Sequence, residues 1–178
     1  MSHPRKAIRQ HVVALLTAAT VAGAKLAGAN VFDSRVRRLP TSSLPALLIY
    51  TRSDKADSMV SDAPRVYLRK LELAIEVAVA AANMANILDD LTREVEILLE
   101  NDEALGGLGE CAYSGTEIEL DGDSDPTLAI AVMTFTVEYE DDIKTAVVDD
   151  FTGADVVWNL TTLPDEQNEA QDTITVTP

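Results

Sequence analysis

Asp121, Asp123 and Asp125 alternate as in the first half of a calcium loop, which would make them ligands for a hard cation. Such a loop needs glycine at its sixth position and a bidentate glutamate at its twelfth, where this chain has Pro126 and Val132, so the segment reads as a hairpin turn. His3 and His11 could bind zinc or relay protons, but no cysteine lies near them in sequence, and either role would need a long-range partner. Gly106-Gly107-Leu108-Gly109 follows a helical segment, whereas a phosphate cradle lies between a strand and the start of a helix. The adjacent acids Asp89-Asp90, Asp141-Asp142 and Asp149-Asp150 point apart on any regular element. Cys111 has no second cysteine to pair with and reads as an inert, buried thiol. The chain thus offers no catalytic residue, cofactor site or metal site, and reads as non-enzymatic.

The strongest compositional signal is charge. The net charge is −16 over 178 residues, yet residues 1–70 hold 12 of the 14 Lys and Arg against four Asp, and carry +8. The rest carries −24, with Arg93 and Lys144 its only bases. A chain this acidic is poorly suited to tight duplex binding, which depends on cations neutralising phosphates. If the fold keeps the two signs on different surfaces, one copy can present a basic patch to the acidic patch of the next. That contact is heterologous and can close into a ring. If the fold mixes them, the split has no such consequence.

Positioning these charges falls to a short series of elements. Arg5, Lys6 and Arg9 precede an apolar run, Val12 to Ala24, in the layout of a secretory signal. The competing reading, preferred here, is an amphipathic helix from Pro4 to Ala22, because Ile8, Val12, Leu15, Leu16 and Ala19 recur at helical spacing. The run also falls short of the roughly 20 apolar residues that cross a bilayer. Asn30 to Arg35 reads as a short strand and Ala46 to Thr51 as an apolar one. Arg52 to Pro64, polar and without period, reads as an exposed, mobile connection.

From Arg65 to Ala80 the period is two, with Leu71, Leu73, Ile75, Val77 and Val79 on one face. Some 15 residues at about 3.3 Å each reach roughly 50 Å, so this strand is expected to bend or to run into a neighbouring subunit. Asn83 to Asn101 is a helix with an apolar stripe of Ile87, Leu88, Leu91, Val95, Leu98 and Leu99, and Gly106-Gly107 ends it. Cys111 to Leu120 and Thr127 to Glu140 form an antiparallel hairpin. The expected fold is α+β, a mixed or antiparallel sheet against two main helices, with one domain over 1–141 and an acidic, extended arm over 142–178. Trp158 in that arm docks either on its own core or on a partner.

The segments VFDSR (Val31 to Arg35), LPALLIY (Leu44 to Tyr50), LELAIE (Leu71 to Glu76) and MTFTVEY (Met133 to Tyr139), in this order of elements, resemble the minor tail protein U group of tail terminators from siphophages and prophages. The likeness spans roughly residues 4–140 and rests on element order and diffuse phrases. It implies a structural subunit of the virion, made in the host cytoplasm and placed at the head-proximal end of the tail. As a homohexameric ring it would stop the tail tube and receive head-completion proteins, with DNA passing through the lumen unbound. Partners would be the chain itself, the tail tube protein and a neck protein, with no cofactor and no membrane. Arg35, Arg37, Arg38, Arg52 and Lys55 are candidate contacts to acidic neighbours, or else solvated loop charges. The alternatives are another neck or tube protein, an exported binding domain if residues 1–24 are a signal, and an unrecognised enzyme.

Overall fold

The computed structural model describes residues 3–21, 26, 28–35, 39–62, 65–80, 83–121, 128–142, 154–157 and 171–174. The chain divides into two compact units, Met1–Ile143 and Lys144–Pro178. The first begins with helix α1, Pro4–Val21, whose Ile8, Val12, Leu16 and Ala19 form a buried stripe. Pro4 suits the first turn because the missing N–H would have had no helical partner. Through Val21, the stretch that resembles a signal is thus packed into the core by one face of a helix.

Five strands form one sheet: β1 Asn30–Asp33, β2 Ala46–Asp62, β3 Arg65–Val79, β4 Glu110–Asp121 and β5 Leu128–Asp142. Their order is β1-β2-β3-β5-β4, with β1 parallel to β2 and every other pairing antiparallel. Between β3 and β4 runs helix α2, Met84–Asn101, which buries Leu88, Leu91, Val95 and Leu99 and rests Ile87 and Leu98 against the same core. The fold is therefore α+β, a mixed sheet with two main helices.

Both helices pack on one face. The core joins α1 and α2 to Leu47 and Ile49 of β2, to Leu71 through Val79 at alternate positions of β3, and to Met133, Phe135 and Val137 of β5. Each such side chain contributes roughly 1.5–3 kcal/mol when fully buried, so this layer holds the unit together. No described helix lies on the opposite face.

Two expectations are corrected. Arg52 to Asp62 is not a loop but the distal half of β2, paired with β3 down to Asp62↔Arg65. The register skips Arg52, Asp57 and Val60, and each extra residue reverses the in–out alternation that a strand normally writes into its sequence. The length of β3 does not call for a neighbour either. It is flanked by β2 and β5 from Val66 to Ala78, so its own chain satisfies its backbone. The first strand is also shorter than expected, ending at Asp33 where Ser34 turns to φ 52°.

The second unit contains β6, Ala154–Val157, antiparallel to β7, Gln171–Ile174. The remainder of the segment expected to be an extended arm, Trp158 included, lies outside the described residues.

Candidate assembly surfaces

Directly opposed strand residues share a face, so the register lays out rows across the sheet. On the helix-free face one row is Leu48, Glu76, Val132 and Glu117, and another is Lys55, Lys70, Glu138 and Glu110. Acids thicken toward β4, where Glu110, Glu117 and Glu119 are exposed, and α2 adds Asp89, Asp90, Glu94, Glu96 and Glu100 against Arg93 alone. The other margin of the sheet, made by α1, β1 and β2, carries Arg5, Lys6, Arg9, Arg35, Arg52 and Lys55 against Asp33, Asp54, Asp57 and Asp62. The β4 side is thus strongly negative, whereas the residues of α1, β1 and β2 sum to only +2, with Arg9 against Asp33 and Arg5 near Asp54, so the fold partly mixes the two signs.

The expected contact residues do not form one patch. The Arg35 guanidinium stacks 4.7 Å from the centroid of the Phe32 ring, and its carbonyl accepts a 2.7 Å hydrogen bond from the Tyr50 hydroxyl. Arg52 and Lys55 stand together on the distal half of β2, both exposed, on a strand rather than a loop. Among the described residues neither has an ion-pair partner, and Lys55 lies opposite Lys70 in the ladder. Lys70 is itself engaged, 3.4 Å from Asp57 and 3.2 Å from Glu138, and these acids raise its pKa. A surplus of positive charge is left on the hairpin that β2 and β3 make. Arg37, Arg38 and Trp158 lie outside the described residues.

That hairpin is anchored by a cluster the sequence did not announce. Asp54, its side chain 5% exposed, accepts hydrogen bonds from Arg69 at 3.0 Å and from the Tyr139 hydroxyl at 3.1 Å, with Arg5 at 3.8 Å. Burial works against the Asp54 charge, but the bonds from Arg69 and Tyr139 outweigh it and lower the pKa. Burial and the bond to Asp54 push the Tyr139 phenol up to about 12. Arg69 also reaches Asp141 at 3.5 Å, so β2, β3, β5 and the first turn of α1 meet at one carboxylate.

His11 supplies a second tie. Its Nε2 lies 2.6 Å from Asp102, whose other oxygen accepts the Gly106 N–H at 3.0 Å. The histidine bond, then the backbone bond, lower the Asp102 pKa. The long-range partner that sequence spacing gave no reason to expect comes from packing α1 beside the end of α2. Gly106 is required there twice over: its φ is +65°, and a Cβ would come within 2.9 Å of the imidazole. It does not end α2 as the sequence implied: the helix stops at Asn101, and Gly106 and Gly107 belong to the 3-10 turn Leu105–Gly107 that follows.

Cys111 is half-buried and packed against the core rather than fully enclosed. Burial, then the charges of Glu100 and Asp102, push its thiol up to about 11, opposite to what a nucleophile needs. At pH 8 it should react with an alkylating reagent at least about tenfold more slowly than free cysteine, because the thiolate is scarce and shielded. A rate equal to that of the free amino acid would show an open, activated site. Among the described residues no three potential ligands gather to hold a metal, and no helix is long and apolar enough to cross a membrane. Residues 122–127 of the calcium-like loop lie outside the described set.

Between α2 and β4 runs an open groove of about 530 Å³, lined by Arg93, Glu96, Ile97, Glu100, Asn101 and Tyr113. Ile97 and Tyr113 are exposed there, and the Arg93 charge is taken by Glu96 at 2.8 Å. No protein-family model matches this chain, and no curated protein matches it.

Proposed function

We propose that the chain is a non-enzymatic structural subunit that closes head to tail into a ring, ending a phage tail tube and presenting a surface to a neck protein. The observation that supports this reading is the uneven charge of one sheet, strongly acidic toward β4 and slightly basic toward β2. A contact between unlike edges uses each edge once per copy, so it propagates with a fixed rotation and can close. The resemblance to tail terminators supplies the rest: a homohexamer at the head-proximal end of the tail, assembled in the host cytoplasm.

The acid-rich face of β3, β5 and β4 suits a passage for a polyanion, because like charge keeps DNA from adhering. The functional contacts are then with the tube protein on one ring face, with the neck protein on the other, and with neighbouring copies around the circle. Native mass spectrometry of the chain, alone and mixed with tail tubes, tests the reading. A discrete ring, or conversion to one at tube ends, is the expected result. Open-ended polymers would assign the chain to the tube instead, and a monomer that never caps tubes would remove the proposal.

A further inference from the structure

We infer that the outer edge of β4 accepts a strand from a partner protein, an extended segment in which apolar and cationic residues alternate. β4 is the last strand of its sheet, and from Gly115 onward nothing among the described residues pairs with its far side. Alternate residues of such an edge turn their N–H and C=O groups outward, where they template one more strand. The seven residues from Gly115 to Asp121 pair with β5 without a skip, and a partner strand of that length spans roughly 23 Å. No proline or lysine interrupts this stretch to blunt it.

The register specifies the occupant. Thr116 and Ile118 lie opposite Met133 and Ala131 of β5 and therefore face the helix side, as does Tyr113 in the groove beside α2. Ile118 is 57% and Tyr113 41% exposed, with no further strand beside them. Glu117 and Glu119 lie opposite Val132 and Ile130 on the helix-free face, exposed and, among the described residues, without an ion-pair partner. An added strand sets its side chains beside these two rows in turn, apolar ones by Ile118 and Tyr113 and cationic ones by Glu117 and Glu119. The same acids repel a second β4. The chain's other open edges do not match either, since β1 carries no base and residues 52–62 of β2 hold two bases against three acids. The occupant is therefore another protein. Strand addition uses the edge of β4 alone, so it goes beyond the ring reading, does not require it, and leaves the acids of α2 to contacts between copies.

The test uses the full chain and the peptide Lys-Val-Lys-Val-Lys-Val-Lys, read by calorimetry and by amide NMR. This peptide should bind at least about tenfold more tightly than one with its lysines all before its valines, or one with proline at the central valine. Amides of residues 115–121 should gain protection from exchange. Glu117→Lys with Glu119→Lys should weaken the binding by about tenfold or more and favour Glu-Val-Glu-Val-Glu-Val-Glu instead, which also shows that the variant folds. Equal binding of the reordered peptide would reduce the effect to bulk charge and overturn the inference, as would protection gained elsewhere or no binding at all. Self-association that the double variant abolishes, with no peptide bound by the unaltered chain, would seat another copy at the edge and overturn it too. A ring seen by native mass spectrometry without peptide binding overturns the strand addition and leaves the ring reading standing.

Discussion

Replacing Phe135 by alanine is expected to cost about 3–5 kcal/mol in urea denaturation at neutral pH, against a whole-domain stability of roughly 5–15 kcal/mol. Phe135 is 1% exposed at the middle of β5, directly opposite Leu73 on one side and Tyr113 on the other. Its ring meets Tyr113 edge to face, with centroids 5.5 Å apart at 62°. Truncation removes that contact and leaves a cavity between a sheet paired on both flanks and the helices above it, where little can collapse inward. Phe135→Leu keeps most of the volume and should cost less, about 1–2 kcal/mol. A loss under about 1 kcal/mol for the alanine variant would show that the two-helix layer is not what stabilises the unit.

Asp54→Ala should cost about 2–3 kcal/mol at pH 7, because it strands the Arg69 guanidinium and the Tyr139 hydroxyl in a confined site. Asp141, 3.5 Å from Arg69, recovers part of the loss. The pH dependence distinguishes this charge from mere packing. The pKa of Asp54 is lowered in the folded state, so its contribution is fully present above the ordinary carboxyl value of about 3.9. It disappears as pH falls through the lower, folded value. The difference between the unaltered chain and Asp54→Ala should therefore shrink as denaturation is repeated from pH 4 downward. A difference that stays constant would mean that the carboxylate's charge plays no part. Asp102, also lowered, adds an acid-sensitive component of the same sign that both proteins share.

The elements legible from sequence were those whose burial is periodic. Ile8, Val12, Leu16 and Ala19 spell α1, Leu88 to Leu99 spell α2, and alternation through Leu71–Val79 and Met133–Tyr139 spells β3 and β5, because a continuous core selects one face of each. The distal half of β2 was illegible for two physical reasons. It lies away from the core, so nothing selects apolar residues there, and its three skipped residues scramble the period that remains. The Asp54 cluster was hidden with it, since an aspartate in an apparent loop carries no sign of the arginine and tyrosine that will enclose it. His11 and Asp102 are 91 residues apart, and only the packing of α1 against the end of α2 relates them.

Charge was a mixed case. The excess of bases before residue 70 and of acids after it is plain in the sequence. Its survival in space depends on strand order. β5 enters between β3 and β4, which sends Glu110, Glu117 and Glu119 to the sheet edge opposite β1 and β2. Arg52 and Lys55 were named from sequence as candidate contacts, whereas the groove at Ile97 and Tyr113 was not. A groove belongs to two elements at once, and neither helix stripe nor strand alternation describes the gap between them.

The late entry of β5 also governs how the chain can be made. A ribosome releases α1, β1, β2, β3, α2 and β4 before residues 128–142 emerge, yet that last strand sits between β3 and β4 and supplies Met133, Phe135 and Val137 to the interior. Until then Leu71, Leu73 and Ile75 lack their partner on one side, and the nascent chain shows apolar surface to other nascent chains. Folding is completed only after nearly the whole first unit has been synthesised, so truncated translation products of this protein should be insoluble rather than partly native.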